Sequence, residues 1–521
     1  MKNAMIITLS RLMLGLGCAM LCTAVASADD SAAIRTPPAP ATPRINGPTV
    51  FGVRPGSPFL YTIPVTGDRP MAYAVDNLPA GLHVDPSTGH ITGSIEKAGT
   101  YHVVLRASNS LGKAEKDFRI VCGDQIALTP PMGWNSWNCW SGSVDQDKVL
   151  RSARAMVASG LINHGWTYIN IDDTWQAPRG GPFHALQGNE KFPNMKQLCD
   201  EIHAMGLKAG IYSTPWITSY AGFPGDTSDN ASGAWTRIEG YDKYQVNHRL
   251  GKYSFASNDA KQFAAWGFDY LKYDWNPNDV AHTRLMAEAL RATGRDIIFS
   301  LSNAAPYDEI AELSKYANCW RTTGDIWDTW ATPGAYQNSV SEIGFNQDRW
   351  TRWARPGHWN DPDMLVVGQV GWGPQLHTTR LTPAEQYTHI TMWCMLSAPL
   401  LIGCDLEHMD AFTLNLLTND EVLAVDQDAL GKQASRVYTI GAVDVYRKEL
   451  EDGSVAFAFF NRGDDKVTVP IKLDRLGYWG MKNIHVRDLW RQKDLGTFDD
   501  DMPLTIGAHD VMLLKVTAPK K

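Results

Sequence analysis

The spacing of apolar residues changes character twice along the chain, dividing it into three regions. From about Thr49 to Val121, short runs that alternate apolar and polar residues ("YTIPVT", "HVDPSTGHITGSI", "TYHVVLRASNS") are separated by turn signals such as Pro86-Ser-Thr-Gly89. Several such strands in one short stretch predict a small β-sandwich. From Pro131 short apolar strands alternate with amphipathic helical stretches, among them "DQDKVLRSARAMVASGL", "MKQLCDEIHAMGL" and "VAHTRLMAEALRATG". Eight candidate strands result: "MGWNSW", "YINIDD", "KAGIYS", "YLKYDW", "IIFSLS", "CWRTTGD", "HWNDPDML" and "PLLIGCD". Eight strand–helix units in roughly 300 residues predict a closed TIM barrel, (β/α)8, rather than an open sheet. From about Ser435 strands return without long helices ("VDVYRKEL", "VAFAFFNR", "DVMLLKV"), which predicts a C-terminal antiparallel β-sandwich. The expected organisation is multidomain: a linker over 29–48, a sandwich over 49–122, the barrel over 126–431 and the terminal β domain over 435–517.

One strand poses a physical problem. "FDYLKYDW" reads as buried, yet it carries Lys272 and Asp274, and buried charges are costly unless they are paired or face a wet cavity. The barrel supplies the cavity, because side chains at the carboxyl ends of its strands leave the packed interior for a pocket. Lys272 and Asp274 are two residues apart and share one face of the strand. The other strands end similarly, in Trp137, Asp172 and Asp173, Tyr212, Ser302, Arg321 and Asp325, and Asp363. A single Asp at a strand end reads equally well as a helix N-cap, as for Asp405. Five carboxylates converging with a Lys, an Arg and aromatics need a ligand rich in hydroxyls, or a metal.

Composition narrows that choice. The 521 residues are 44% apolar and 20% charged, as in folded globular proteins, and 48 basic against 56 acidic residues argue against a nucleic-acid partner. Lys272 beside Asp274 would compete with a bound cation, and the His residues lack zinc spacing, so no metal is expected. Neither a Gly-rich phosphate cradle nor a GxSxG elbow is present in the sequence. Nineteen Trp and eighteen Tyr offer flat faces for a sugar ring, and a carboxyl pair breaks a glycosidic bond without a cofactor. At the N-terminus, Lys2 and Arg11, the run "LMLGLGCAMLCTAVA" and Ala26-Ser27-Ala28 read as a signal peptide over 1–28, with export to the periplasm or beyond. "LGLGC" offers a lipoprotein alternative at Cys18, and no second stretch is long enough to span a bilayer. The six cysteines beyond the signal match no zinc or CxxC pattern and read mostly as buried thiols, with room for one bridge.

The ordered motifs "LTPPMGWNSWN", "INIDDTW", "GLKAGIYS", "DYLKYD", "CWRTTGDI", "GHWNDPDML" and "SAPLLIGCDL" resemble glycoside hydrolase family 27, the α-galactosidase or melibiase family, from about Leu128 to Gly431. "LPAGLHVDPSTGHITG" resembles the Ig-like modules of secreted bacterial enzymes. The first resemblance implies a retaining, cofactor-free (β/α)8 enzyme acting on a terminal α-galactoside. It implies Asp274 as nucleophile and Asp325 as general acid/base. Asp172, Asp173 and Lys272 would bind the 4- and 6- or 3-hydroxyls, with Trp137 walling the pocket and Tyr212 nearby. Arg321 and Asp363 would lie near the 2-hydroxyl and the reacting carboxylates. Lys272 is expected to keep Asp274 ionised, whereas a general acid at Asp325 must hold a proton.

The sequence departs from the family in places that bear on substrate. Thr174, Tyr220 and Asn276 stand where many members carry bridged cysteines. An insertion between Gly225 and Lys261 adds Trp235, Tyr241, Tyr244 and Tyr253, and a long loop at this face is usually functional. Ser302 and Ala305 match the small pair of animal α-N-acetylgalactosaminidases, with Asn303 replacing their Trp. Three alternatives therefore stand beside the α-galactosidase reading on the same scaffold: α-N-acetylgalactosaminidase, β-L-arabinopyranosidase and isomalto-dextranase. A non-catalytic carbohydrate-binding protein is a fourth, opposed by the intact Asp274 and Asp325. The sequence leaves the oligomeric state open.

Overall fold

The computed structural model describes residues 33–234, 247–332, 337–372 and 375–519. The signal over 1–28, and Trp235, Tyr241 and Tyr244 of the insertion, lie outside the described residues. Eight parallel strands form the central sheet: β1 (Met132–Asn135), β2 (Tyr168–Asn170), β3 (Lys208–Ser213), β4 (Tyr270–Asp274), β5 (Ile298–Ser302), β6 (Cys319–Arg321), β7 (Trp359–Asp361) and β8 (Leu400–Ile402). Each strand from β1 to β6 pairs with the one that follows it in sequence, and β8 pairs with β1. Leu365, just beyond β7, closes the barrel: its N–H donates to the Leu401 carbonyl at 2.8 Å, and its carbonyl accepts from Gly403 N–H at 3.0 Å.

The period of two along each strand explains both core and pocket. Outward-facing Ile169, Ile211, Leu271, Phe299, Leu301 and Trp320 pack in the large core cluster with residues of the surrounding helices. Those helices begin where the sequence supplies caps, as Asp145, Asn194 and Asp279 each accept a backbone N–H of the first turn. Inward, Tyr168, Tyr270, Ile298, Cys319 and Trp359 gather with Ile126 into a separate apolar floor. Two residues further along the same strands stand Asn170, Lys272, Ser300, Arg321 and Asp361, so the interior turns polar in one step. The step is tight: a Cβ on Gly210 would lie 1.9 Å from Asn170 Oδ1, so β2 and β3 meet there only through glycine.

The N-terminal module is a sandwich of a four-stranded and a three-stranded sheet around Ile91, Leu105, Phe118 and Ile120. It docks at the amino ends of the barrel strands. Arg54 Nε donates to Asp296 Oδ1 at 2.6 Å and its backbone N–H to Oδ2 at 2.9 Å. Asp296 N–H donates to Ser57 Oγ at 2.8 Å, and Thr62 Oγ1 to the Gly206 carbonyl at 2.8 Å. The C-terminal domain has a six-stranded antiparallel sheet and a two-stranded ribbon. Its strand Val455–Asn461 is buried on both faces: Phe457 and Phe459 enter its own core, while Ala456, Ala458 and Phe460 join the barrel core.

All six described cysteines are free and buried, so the bridge for which the sequence left room is not formed. Among the described residues no helix is long and apolar enough to cross a membrane. The half-buried Arg54–Asp296 pair is expected to carry much of the docking energy. Asp296→Ala should lower unfolding stability by roughly 2 kcal/mol, since it removes charge-assisted bonds, and leave kcat unchanged. Urea denaturation with parallel activity assays checks both halves.

Candidate active site

The sequence-predicted residues meet at the carboxyl rim, but in a more divided arrangement than their spacing suggests. Asp274 ends β4 and is 5% exposed. Tyr212, on the adjacent β3, donates its hydroxyl to Asp274 Oδ2 at 3.1 Å. Asn303, one residue past β5, donates Nδ2 to Asp274 Oδ1 at 3.0 Å. Burial pushes Asp274 up to about 7; Lys272 pulls it down, while Asp325 and Asp172 push it further up. The expectation that Lys272 keeps Asp274 ionised is therefore met only in part. The cation has the expected sign, but burial outweighs it, and Lys272 Nζ makes its direct ion pair with Asp172 Oδ2 at 2.7 Å. Burial would pull the Lys272 ammonium down, yet Asp172, Asp274 and Asp325 together hold it above its ordinary value.

The two acids after β2 part company. Asp172 faces Lys272 and also accepts from Asn135 Nδ2 at 2.9 Å. Asp173 turns toward its own loop and the next, accepting from Thr174 N–H at 2.6 Å, Gln176 Nε2 at 3.1 Å and Ala221 N–H at 3.0 Å. Burial pushes it up to about 6 against those donors and the neighbouring Ser219 hydroxyl. In place of the absent cysteines, Asp173 ties the second rim loop to the third.

On the opposite rim, Arg321 ends β6 and links two carboxylates, Asp363 Oδ1 at 2.7 Å and Asp325 Oδ1 at 3.2 Å. Asp363 follows β7 with a φ of 79°, which aims its other oxygen at Ile326 N–H at 2.8 Å. Burial pushes Asp363 up to about 7 although Arg321 opposes it. Asp325 sits in the loop beyond β6, its side chain 41% exposed and open to solvent. The predicted strand "CWRTTGD" is thus ordered as strand only to Arg321. Trp137 opens the short helix after β1 and packs edge-on against the half-exposed Trp372 at 6.2 Å. Ser302 is buried at the end of β5, and its Oγ has no partner among the described residues. Asp405 caps a short helix and pairs with His408, the ordinary role of such a residue.

Two contributors escaped the sequence reading. Asn303 reaches the pocket through a left-handed turn, φ 73°, which no spacing announces. Tyr220 lies near enough to Asp274 and Asp325 for both charges to reinforce the upward push that burial gives its hydroxyl. It joins Trp216 and His248 in an aromatic cluster, the two imidazole and indole planes stacked at 4.8 Å. His248 belongs to the insertion, so the described part of that loop does return to the rim; Tyr253, further on, is exposed.

A closed barrel with buried and half-exposed carboxyl groups at one aromatic-walled rim has the architecture of the barrel glycoside hydrolases. Residues 129–239 and 242–428 match the family model described as Alpha galactosidase A, residues 440–516 its C-terminal beta sandwich domain, and residues 42–123 an Ig domain. Alpha-galactosidase 2 of Arabidopsis thaliana is 35% identical over 409 residues, 77% of this chain and 93% of that protein. Alpha-galactosidase A of Cellvibrio japonicus is 32% identical over 415 residues, 76% and 93% of the two chains. Among solved structures, one from Bacteroides fragilis superposes with a TM-score of 0.82 at 33% identity, covering 92% of this chain and 98% of its own. A β-L-arabinopyranosidase from Geobacillus stearothermophilus superposes at 0.63 with 30% identity, covering 75% and 97%. The chain belongs to the α-galactosidase family, glycoside hydrolase family 27.

The raised carboxyls make a prediction about stability. Asp226, buried against the Tyr273 hydroxyl, is pushed up to about 7 by burial, as are Asp274 and Asp363, and Asp173 to about 6. Between pH 4 and these values the unfolded chain ionises the groups while the folded one keeps their protons. Each then subtracts stability as pH rises through that window. Asp274→Asn removes one such group, so its Tm should fall less steeply from about pH 4 to about pH 7 than that of the unaltered protein. Paired thermal melts across that range measure the difference in slope.

Proposed function

We propose that this enzyme is an exported, retaining exo-glycosidase that removes terminal α-galactosyl residues from galacto-oligosaccharides, polysaccharides or glycoconjugates without a cofactor. The observation that carries the reading is the asymmetry of its two acids. Asp274 is buried and gripped by two neutral donors, as suits a nucleophile; Asp325 is half-open to solvent beside Arg321, as suits a group that exchanges protons with leaving group and water. Family position supports the same pairing.

In the proposed reaction the sugar enters with its ring hydroxyls toward the Lys272–Asp172 pair and an apolar face toward the aromatic wall. Asp274 attacks the anomeric carbon, and Asp325 gives its proton to the departing oxygen. A β-linked galactosyl-enzyme forms. Asp325, now a base, takes a proton from water, which displaces Asp274 and restores the α configuration. Ionised Asp274 is required for the first step and protonated Asp325 for departure of a poor leaving group. The N-terminal signal pattern supports export.

A panel of nitrophenyl glycosides tests the substrate: α-galactoside should be hydrolysed best, with N-acetyl-α-galactosaminide and β-L-arabinopyranoside as rivals, the latter favoured by the Geobacillus neighbour. NMR of the first-formed sugar should show retention, and the carboxyl groups should stand roughly 5–5.5 Å apart; an inverted product would overturn the mechanism. Asp274→Ala should lose turnover on every substrate. Asp325→Ala should spare substrates whose leaving group needs no proton, and azide should rescue it as the α-galactosyl azide. A β-galactosyl azide from Asp325→Ala would reverse the two roles.

A further inference from the structure

Strand β5 ends at Ser302, and the next two residues both take the left-handed conformation, Asn303 at φ 73° and Ala304 at φ 64°. Asn visits that region several-fold more often than most residues, and Ala seldom does. The turn is held on its far side, where Ala305 N–H donates to the Arg321 carbonyl at 2.8 Å. Its effect is to bring the Asn303 amide over the end of β4, with Nδ2 at 3.0 Å from Asp274 Oδ1. Backbone kept in a sparsely populated region at the edge of a pocket points to a side chain whose placement matters.

We propose that Asn303 is a positioning residue for the nucleophile: its amide fixes the rotation of the Asp274 carboxylate and favours its ionised form. This rests on Asp274 being the nucleophile. The charged and titratable groups facing that carboxylate are Lys272 on its own strand, Asp172 from β2, Tyr212 from β3, Tyr220 from the loop after β3, and Asp325 beyond β6. Of the two cations at the rim, Lys272 is engaged by Asp172 and Arg321 by Asp363 and Asp325. What touches the Asp274 oxygens directly is a pair of neutral donors, Tyr212 on Oδ2 and Asn303 on Oδ1. One donor on each oxygen holds the carboxylate plane; with one removed, the group can turn about its Cβ–Cγ bond and lose the attack geometry. A hydrogen bond to the charged form also favours ionisation, so its loss should make the nucleophile harder to ionise in a site where burial already opposes the charge.

Two variants separate this role from a structural one. Asn303→Gly deletes the amide and accepts the left-handed backbone without strain. Asn303→Asp keeps the side-chain shape and the left-handed tolerance but replaces the donor with a second carboxylate. With a nitrophenyl α-galactoside, whose leaving group departs unprotonated, the acid limb of kcat/KM reports ionisation of the nucleophile in the free enzyme. That limb should move up by roughly one pH unit in Asn303→Gly and further in Asn303→Asp, with kcat falling more than KM rises. An acid limb unmoved in both variants, or a loss by the same factor at every pH, would overturn the proposal. Should the Gly variant loosen the turn, the near-isosteric Asp variant still decides it. Turnover persisting in Asp274→Ala would instead sink the nucleophile assignment, so the two failures are distinct.

Discussion

Six carboxyl groups and two permanent cations share one low-dielectric rim, and that imbalance governs the chemistry of the site. Among the described residues, Lys272 acts on Asp172, Asp274 and Asp325, Arg321 acts on Asp325, Asp361 and Asp363, and Asp173 feels the more distant Lys191. Like charges confined this closely cannot all ionise cheaply, so the fold must make identical side chains unequal. It does so through partners. Asp172 receives the ammonium, Asp363 the guanidinium, and Asp173 a set of backbone and amide donors. Asp274 accepts from two neutral donors, and Asp325 keeps contact with solvent. The proposed acid and the proposed nucleophile are set apart by geometry rather than by residue type.

The rest of the chain keeps that rim open and the opposite pole shut. The apolar floor of Tyr168, Tyr270, Ile298, Cys319 and Trp359 blocks the barrel from below, so the polar layer above it meets solvent from one side. The Ig-like module sits beneath that floor, joined to Asp296 and Gly206 at the amino ends of the strands. It also reaches the C-terminal domain, where Glu451 accepts from Thr49 Oγ1 at 3.0 Å and pairs with Arg119. Through these contacts the module is fastened to both the barrel and the C-terminal domain. The Bacteroides fragilis superposition spans 92% of the chain and so takes in this module, in keeping with a fixed placement.

The barrel and most of its rim were legible because two periodicities and the strand-end rule act locally. Inward positions two residues apart run from Tyr270 through Lys272 to Asp274, a sequence of apolar floor, polar layer and reactive end visible in the letters themselves. What the letters hid depends on geometry beyond the strand. Asn303 enters through two left-handed residues, and Asp363 is aimed by another. Asp173 looked equivalent to Asp172 until the Ser219–Ala221 loop claimed it. Tyr220 could be named only as a missing cysteine, since its proximity to the acids follows from how a loop folds back. The effect of Lys272 was read with the right sign, but its size against burial needed the depth of the pocket.

The six unpaired thiols, each sealed in apolar surroundings, have a consequence outside the active site. A rim loop stapled by a disulfide would need an oxidising environment to form. Here the loop after β2 is fastened to the loop after β3 by the Asp173 carboxylate and the Ala221 N–H, a link that forms wherever the backbone does. The link is a hydrogen bond, so thiol–disulfide exchange does not act on it. Among the described residues there is no disulfide for a thiol such as glutathione to open.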